Sequence, residues 1–434
     1  MAPVVVSTGL AFAGKATGAS TDKPALLGGT PVRTEAFPAW PVWDGADESE
    51  LNAVMRSGKW GRGSGSRVSR FEQEFARMMG APYCLATSSG TTALLTALNA
   101  MGVGPGDEVI VPPYTFIATI NVVLTCHALP VFADTDPRTF QIDAASIEPL
   151  VNERTAAIIP VHLGGGTYDV DAVHALAKRR GITILEDSCQ SHLAEWRGQR
   201  TGAFGKAGCF SFQASKNLNS GEGGAVLSRD EELIQRCFAF HNNGRSKTQA
   251  GYDFSYHGYG INARLTEFQG GLLVTQMARI EALAKRRDEN ANYLKSLLRE
   301  IPGLRPVDTY EGCTRNAYHL FMMRYDAAQF DGLAREAFLK ALMAEGIPAS
   351  SGYERLNQQP FLRSALESRG FKAIYSNERI ARWHEQNRTP HNDQVCSDAV
   401  WFTQNMLIGS RRDMDQIADA VRKIKSNAAS LKKA

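Results

Sequence analysis

The central part of the chain alternates short apolar runs with helical patterns. The apolar runs are rich in β-branched residues and predict strands at 83–86, 108–112, 130–133, 156–161, 182–186 and 208–212. Between these runs, apolar residues recur three and four positions apart, which predicts helices at 91–101, 115–125 and 169–179. Alternation of this kind is typical of strand–helix–strand units around a mainly parallel sheet, so the predicted fold class is α/β.

A second, smaller unit is predicted after the central one. A helical pattern from Thr266 to about Leu298 leads away from the sheet, and Ile301-Pro-Gly303 breaks it. Further elements follow, namely a strand at 319–324, a helix at 333–345 and turns at 350–353. We therefore predict a large domain over residues 26–298, with helices flanking its sheet, and a smaller C-terminal α+β domain over residues 299–434.

Residues 1–25 do not share these patterns. Residues 4–14 are apolar and small, and we interpret residues 1–25 as a disordered leader of a cytoplasmic protein. The alternative is the remnant of an export signal, although no Arg or Lys precedes the apolar run. No stretch approaches the ~18 apolar residues that a membrane span needs, so no membrane association is expected.

Charge and cysteine content exclude several classes of protein. The 434 residues include 48 Lys and Arg against 45 Asp and Glu, with no long basic run, so nucleic acid is not an expected partner. Seven cysteines are scattered without a Cys-x-x-Cys pair, which argues against a disulfide framework and against a zinc site. We therefore expect reduced thiols and no metal.

Lys216 is the first candidate for chemistry. It follows an apolar, strand-like run and enters a turn rich in glycine and hydroxyl groups, where a lysine can form a Schiff base with an aldehyde cofactor. Ser211 and Ser215 could donate to a phosphate, and Gly221-Glu-Gly-Gly224 permits a close approach of the backbone. On this segment alone, a structural role for Lys216 is an equal alternative to a catalytic one.

Two segments upstream could bind the phosphate and the ring of such a cofactor. Gly90 and Thr91 open a helix after a strand, where backbone N–H groups form an anion site, although an ordinary helix cap is the alternative. Tyr114 and Phe116 lie at the carboxyl end of a predicted strand, where ligands gather in open α/β sheets. An aromatic ring there can stack on a cofactor, although aromatic residues at such positions more often fill the core.

The strand at 182–186 ends in two acids, Glu186 and Asp187. A carboxylate held against a pyridine nitrogen keeps that nitrogen protonated and makes the ring an electron sink. Asp187 fits this role, and Gln190 could hydrogen-bond a ring hydroxyl, whereas a helix cap or loop acid is the alternative. Together with Lys216, these features supply what a phosphorylated pyridine aldehyde would need from its binding site.

The chain resembles the DegT/DnrJ/StrS family of sugar and cyclitol aminotransferases, from about residue 27 to near the C-terminus. The motifs that carry the resemblance are Gly90-Thr-Thr-Ala-Leu94, Tyr114-Thr-Phe-Ile-Ala-Thr119, Glu186-Asp187 with Gln190, and Phe210-Ser-Phe with Lys216 and Gly221-Glu-Gly-Gly224. The resemblance implies the type I aspartate-aminotransferase fold, bound pyridoxal phosphate, and Lys216 and Asp187 as catalytic residues. It also implies that Glu186 and Asp187 lie with the pyridine contacts.

Further matches imply a homodimer with shared active sites. His241-Asn-Asn-Gly-Arg245 resembles a family stretch whose asparagine, here Asn242, reaches the phosphate of the neighbouring subunit. Arg264 lies in a stretch similar to the family's Asn-x-Arg-Met motif and is a substrate-side or structural cation. Two positions depart from the family: His241 replaces an arginine, and Leu193 stands where glycine is usual. We expect Leu193 to reshape a wall of the pocket.

The resemblance implies a ping-pong transamination from glutamate or glutamine to a ketone. Lys216 would hold the cofactor and then carry the proton, with its pKa lowered by nearby cationic charge and partial burial. The stretches 351–353 and 400–409 are more similar to scyllo-inosose aminotransferases and aminohydroxybenzoate synthases than to nucleotide-sugar enzymes. We therefore expect a cyclitol or free ketosugar as the acceptor.

The sequence bears on four alternative functions. A nucleotide-ketosugar aminotransferase is the nearest alternative. A sugar dehydratase of the same family would carry histidine in place of Lys216, and a non-catalytic sensory homologue would be expected to lose Lys216 or Asp187. A nicotinamide dehydrogenase is excluded because no Gly-x-Gly-x-x-Gly follows the first strand.

Overall fold

The computed structural model describes residues 23–248, 251–256 and 258–433, so that most of the predicted leader lies outside the described residues. The helices are α1 Gly45–Ser57, α2 Arg67–Met79, α3 Gly90–Ala100, α4 Ala118–Thr125, α5 Ala144–Ile147, α6 Val170–Arg180, α7 Glu231–His241, α8 Glu267–Arg299, α9 Arg335–Ala344, α10 Pro360–Leu366, α11 Arg369–Ile374, α12 Asn377–Gln386, α13 Pro390–Asp398, α14 Arg411–Ser426 and α15 Ala428–Leu431. The strands are β1 Tyr83–Thr87, β2 Glu108–Val111, β3 Leu129–Phe132, β4 Thr155–Ile158, β5 Thr183–Asp187, β6 Glu195–Trp196, β7 Gln199–Arg200, β8 Ala207–Ser211, β9 Gly224–Ser228, β10 Arg245–Thr248, β11 Gly251–Tyr256, β12 Leu304–Pro306, β13 Cys313–Arg315, β14 Leu320–Tyr325 and β15 Ala399–Thr403.

The main sheet of the described residues has seven strands in the order β1-β9-β8-β5-β4-β2-β3. Strands β3, β2, β4, β5 and β8 run parallel, whereas β9 is antiparallel to both β8 and β1. The predicted α/β class with a mainly parallel sheet is confirmed. Because β5 and β8 are parallel neighbours, their carboxyl ends open on the same edge of the sheet, where α/β proteins bind ligands.

Helix starts follow local capping chemistry. Ser89 caps α3 and Thr266 caps α8, each with a reciprocal bond from the third helical residue. Helix α4 begins at Ala118, three residues later than predicted. Pro112 and Pro113 disfavour the α conformation for the residues directly before them, and the chain is non-helical from Pro112 to Phe116.

A separate apolar cluster lies in the C-terminal part. It is built from the sheet β12-β14-β15, from α9 and α14, and from the end of α8. Residues 26–37, which the sequence assigns to the large domain, also pack on this cluster. The backbone N–H groups of Val32 and of Ala25, the last residue of the predicted leader, donate to Glu345 at 2.9 and 2.8 Å. The division of the chain at residue 298 remains a prediction.

A helical excursion, residues 354–398 with α10 to α13, separates Tyr353 from β15 and was not predicted. It packs on the edge strand β3 and the neighbouring end of β2. The Trp383 indole donates to Pro130 O at 2.6 Å, the Tyr375 hydroxyl donates to Asp107 O at 2.7 Å, and Arg379 pairs with the buried Glu108 at 2.7 Å. The excursion therefore covers an edge that would otherwise be open.

Among the described residues, no helix combines the length and the apolar character that crossing a membrane would require.

Candidate active site

A cleft of about 510 Å³ opens at the carboxyl edge of the main sheet. It contains most of the residues selected from the sequence, namely Gly90, Thr91, Phe116, Asp187, Gln190, Ser211, Ser215 and Lys216. Tyr114 and Asn242 do not line it. The structure thus brings together residues from β5, β8, the start of α3 and the segment before α4.

The start of α3 forms one end of the cleft. Thr92 N donates to Ser89 Oγ at 3.1 Å, so the cap leaves the first two helical N–H groups, those of Gly90 and Thr91, without a helical acceptor. A Cβ at Gly90 would lie 2.6 Å from Ser211 Cβ, and one at Gly224 would lie 2.2 Å from Ser89 O. Glycine is therefore required at both positions, and the resulting cradle suits an anion such as a phosphate.

Asp187 ends β5 and faces the cleft with 5% of its surface exposed. Its Oδ2 accepts from the Thr119 hydroxyl at 2.8 Å, and its Oδ1 accepts from Cys189 N at 3.1 Å. Each carboxylate oxygen has two lone pairs, so both oxygens keep capacity for a further donor. The carboxylate is held in place and can still accept from a ring N–H in the cleft.

Glu186 points to the opposite side of the strand and does not line the cleft. Its Oε1 accepts from Phe204 N and Gly205 N at 2.6 and 2.8 Å, and its Oε2 accepts from Gly202 N and His162 Nε2 at 2.8 and 3.0 Å. Burial alone would raise the pKa of Glu186, but these hydrogen bonds lower it. The placement of Glu186 with the pyridine contacts, which the resemblance implied, does not hold in this structure.

The Lys216 side chain is partly exposed through the cleft, yet its amine is surrounded by protein. Burial lowers its pKa, because the charged form loses hydration, whereas the nearby Cys189 and Asp187 act in the opposite direction. The expected cationic neighbour is therefore not the cause. The result is an amine more readily deprotonated than that of a surface lysine.

Two buried histidines lie close to Lys216. Burial, reinforced by Lys216, lowers the pKa of His192 to about 3, and the same two causes place the pKa of His319 well below its usual value. His319 lines the cleft, and its Nδ1 lies 3.3 Å from Asn217 Oδ1. Both rings are neutral at pH 7, so they add no positive charge to the cleft.

Gln190 is held from two sides. Its Oε1 accepts from Gly164 N at 2.8 Å, and its Nε2 donates to the Tyr353 hydroxyl at 3.1 Å. Tyr353, which enters from the C-terminal part, also lines the cleft. The amide therefore has one N–H left for a ligand, in keeping with the predicted contact to a ring hydroxyl.

The two aromatic candidates are placed differently. Phe116 is 54% exposed and lines the cleft, where its ring is available for stacking. Tyr114 is buried behind the cleft and packs against Phe140, Tyr353 and Trp401 with ring centroids 5.5, 5.5 and 6.1 Å apart. Tyr114 therefore lies behind Tyr353, which lines the cleft.

Asn242 lies at the end of α7 and is fully buried. Its Oδ1 accepts from Arg264 Nη1 at 3.0 Å and from Arg245 Nη2 at 3.2 Å. Arg264 thus orients Asn242, and neither residue lines this cleft. A role in a neighbouring subunit's site stays a prediction.

Leu193 does not reshape the cleft. Its backbone has φ of +66°, the left-handed region that costs roughly 1–2 kcal/mol for an L-residue and that glycine adopts without this cost. Its side chain is buried in an apolar cluster with Phe71 and Phe212. The expected change to the pocket wall is therefore wrong, because Leu193 packs away from it.

Several cleft residues were not selected from the sequence. Thr119, which is buried behind the cleft, was quoted within a motif without a role, and its hydroxyl lies 3.0 Å from that of Thr115 and donates to Asp187. Cys189 and Glu222 lay inside quoted motifs as well. His319 and Tyr353 come from the C-terminal part, and no local pattern signals that they reach the cleft.

A parallel sheet with β9 inserted antiparallel, and a lysine in the cleft at its carboxyl edge, together define the type I aminotransferase fold. The chain belongs to the DegT/DnrJ/EryC1/StrS aminotransferase family, whose model matches residues 42–399, and it is an aminotransferase. The resemblance found in the motifs is confirmed.

Similar proteins extend this assignment. A protein of Streptomyces kanamyceticus, provisionally named an L-glutamine:3-amino-2,3-dideoxy-scyllo-inosose aminotransferase, is 37% identical over 416 residues, which cover 94% of this chain and 98% of that protein. The L-glutamine:2-deoxy-scyllo-inosose aminotransferase of Streptomyces paromomycinus is 37% identical over 429 residues, with the same two coverages. The crystal structure of 3-amino-5-hydroxybenzoic acid synthase has a TM-score of 0.81 at 32% identity, and covers 92% of this chain and 100% of that one.

Proposed function

We propose that this aminotransferase uses pyridoxal 5′-phosphate to move an amino group from L-glutamine to the ketone of a cyclitol. The observation that carries the proposal is Lys216, whose amine has a lowered pKa in a cleft that also contains the carboxylate of Asp187. The names of the relatives supply the donor and the class of acceptor.

The residues of the cleft fit the cofactor. The cradle at Gly90, Thr91 and Ser211, in which an added Cβ would clash, would hold the phosphate. Asp187 would accept from the ring nitrogen, and Phe116 would offer a stacking surface. When bound, the cofactor supplies an aldehyde that takes up the amino group and a ring that withdraws electrons from the bond being broken.

Lys216 would act twice. Its amine would first hold the cofactor and, once displaced by the amino donor, Nζ would take the proton from the donor Cα. Nζ would later return a proton to the carbon that bears the new amine. The lowered pKa favours this cycle, because more of the lysine is in the free-base form near neutral pH.

The lining of the cleft favours an uncharged polyol as acceptor. Among the described residues that one chain contributes to the lining, Lys216 is the one cation, whereas Asp187 and Glu222 are acids. A nucleotide diphosphate is usually recognised by Arg, Lys or a metal. The cleft offers hydrogen-bonding side chains instead, among them Gln213, Ser215 and Tyr353. A cyclitol or free ketosugar therefore fits better than a nucleotide-linked sugar.

We further propose that the protein is a homodimer with shared sites. Asn242 and Arg264 lie away from the cleft of their own chain, and Trp60 and Tyr259 present large exposed rings. Exposed aromatic residues of this kind are common at interfaces. Light scattering on the purified protein tests the proposal, and a monomeric mass at micromolar concentration would contradict it.

The acceptor is tested in two half-reactions. The protein supplied with pyridoxal phosphate should gain a visible absorbance band, and L-glutamine should bleach it. Keto-cyclitols, free ketosugars and nucleotide-ketosugars are then added separately, and we expect the first class to restore the band. Restoration by nucleotide-ketosugars alone would replace the proposed acceptor.

Lys216→Ala tests the core of the proposal. Loss of the lysine should lower kcat by at least about 10³-fold, since both roles of the amine are removed. Lys178→Ala, which changes an exposed lysine at the end of α6, is the matched control and should keep full turnover. Full turnover by Lys216→Ala would overturn the assignment.

A further inference from the structure

Tyr353 reaches the cleft on a short loop whose first half is fixed to β15. Ser350 N donates to Trp401 O at 3.0 Å, and Trp401 N donates back to Ser350 O at 2.9 Å. One guanidinium nitrogen of Arg335 donates to Ser351 O at 3.1 Å and to Cys396 O at 2.6 Å. This half of the loop is therefore fixed to the three-stranded sheet of β12, β14 and β15.

The second half is fixed by a buried amide. Asn357, four residues after Tyr353, is 2% exposed, and its Nδ2 donates to Asn387 Oδ1 and to Thr389 Oγ1, both at 2.9 Å. Asn387 Nδ2 in turn donates to Asn357 O at 2.7 Å. These bonds join the Tyr353 loop to the residues between α12 and α13.

The start of α13 is held by the main sheet. Thr389, its N-cap residue, makes no side-chain cap. Asp134 supplies one from outside the helix: its Oδ2 accepts from His391 N at 3.1 Å and its Oδ1 from Asn392 N at 2.9 Å. Asp134 comes two residues after β3, so the cap is attached to the same edge of the sheet that bears the cleft.

We propose that Asp134 and Asn357 are positioning residues for Tyr353, acting by anchoring the helical excursion to the carboxyl edge of the main sheet. The bonds form one continuous path from β3 through Asp134, the start of α13 and Asn357 to the loop. Tyr353 is thereby held from both the small sheet and the main sheet. The consequence for the reaction rests on the proposed function.

Tyr353 can bind an acceptor because its hydroxyl is only partly used. The oxygen accepts from Gln190 Nε2, which leaves the hydroxyl hydrogen able to donate to a polyol in the cleft. A loosened loop would weaken this contact in the bound substrate and in the transition state alike. An effect of that kind raises KM and leaves kcat unchanged.

The first measurement is kinetic. Asp134→Ala should raise KM for the keto-cyclitol about 5–10-fold with kcat within about twofold, because the path is broken but the catalytic groups stay. Asp134→Asn keeps an acceptor oxygen for the cap and should restore KM to within about twofold of the wild-type value. In a Tyr353→Phe background, Asp134→Ala should change KM less than twofold, since the contact it positions is already gone.

Asp169→Ala is the matched control. Asp169 caps α6 through Ala172 N at 3.0 Å, so the control also removes one aspartate cap from a helix. Its melting temperature should fall about as much as that of Asp134→Ala, with KM unchanged. An equal rise in KM for the control, or a full effect of Asp134→Ala in the Tyr353→Phe background, would overturn the proposal.

The second measurement does not depend on the acceptor. Hydrogen–deuterium exchange of residues 350–359 should be about tenfold faster in Asp134→Ala than in the wild-type protein, and unchanged in Asp169→Ala. Unchanged exchange in Asp134→Ala would overturn the anchoring path even if cyclitols are turned over. Faster exchange in a protein that aminates no keto-cyclitol would support the path while rejecting the proposed acceptor.

Discussion

Strand β5 ends in two consecutive acids that point to opposite faces of the sheet and have different environments. Glu186 is fully buried and accepts four hydrogen bonds, from Gly202, Phe204, Gly205 and His162. Asp187, the next residue, accepts two and faces the cleft. Consecutive strand residues point to opposite faces, so one residue of separation decides which acid becomes structural. The number of donors already bound to each acid distinguishes a site that holds the fold from a site that can bind a ligand.

The substitution Asp187→Asn tests the role of the acid that faces the cleft. The asparagine oxygen can still accept from Cys189 N, and its Nδ2 can donate to the Thr119 hydroxyl, but a neutral amide does not stabilise a protonated ring nitrogen of the cofactor. We expect kcat to fall about 10³-fold, or about 4 kcal/mol, with the unfolding free energy of the cofactor-free protein within about 1 kcal/mol of wild type. Steady-state kinetics and urea unfolding measure the two quantities. A large loss of stability with intact kcat would reverse the roles assigned here.

The substitution Glu186→Gln tests the structural role of the buried acid. The new amide group would place its own N–H groups against donors, so that at least one buried N–H loses its acceptor. We expect the unfolding free energy to fall by about 3 kcal/mol, while kcat per folded molecule stays within about threefold. Urea unfolding and active-site titration separate the two effects. Loss of turnover without loss of stability would contradict the structural role.

His192 makes the unfolding free energy depend on pH. Its folded-state pKa of about 3 lies below the 6.5 of the unfolded chain, so the unfolded chain binds a proton first as the pH falls. Stability from this residue is present above pH 6.5 and is lost between pH 6.5 and about 3. From pH 7 to pH 5 its share is about 2 kcal/mol. Between pH 7 and pH 5, the unfolding free energy of His192→Phe should therefore fall by about 2 kcal/mol less than that of the wild-type protein. An equal fall in the variant and in the wild type would show that His192 is protonated in the folded state.

Thr119→Val should produce the smallest effect. The change removes the hydroxyl that donates to Asp187 Oδ2 and keeps the side-chain volume. We expect kcat to fall about tenfold, or about 1.4 kcal/mol, because the carboxylate loses one of its two fixed donors. Thr125→Val, on the same helix with its hydroxyl bonded to Asn121 O, is the control. Equal kcat values in the two variants would show that Thr119 does not orient Asp187.

Much of the fold could be predicted because its signals are local. The parallel strands and the helices between them lie within a few residues of the predicted positions, since β-branched runs and helical spacing encode them. Strand β9 was missed, because its five residues directly follow a glycine-rich turn and strand direction leaves no trace in periodicity. The excursion was missed because its helices are short and are stabilised by long-range contacts to β2 and β3.

The residues of the site also divide into those with a local sequence signal and those that only tertiary packing brings to the cleft. Lys216, Asp187 and the cradle at Gly90 follow strands or open a helix, so the sheet topology brings them together. The opposite facing of Glu186 follows from strand alternation and was available in principle. His319 and Tyr353 enter from residues more than a hundred positions after Lys216, and only tertiary packing puts them in the cleft. Of the two causes expected for the lowered pKa of Lys216, burial acts and a neighbouring cation does not, because the groups nearest the amine are Cys189 and Asp187.

The helices that cover β3 also bear on aggregation. An open strand edge presents unpaired backbone groups to which a strand of another molecule can add, the first step of aggregation. Pro130 already removes one N–H donor from this edge, and Trp383 occupies its carbonyl. Helices α10 to α13 therefore protect the sheet from intermolecular pairing as well as supporting the cleft. A shortened chain without them would expose β3 and become prone to assemble through it.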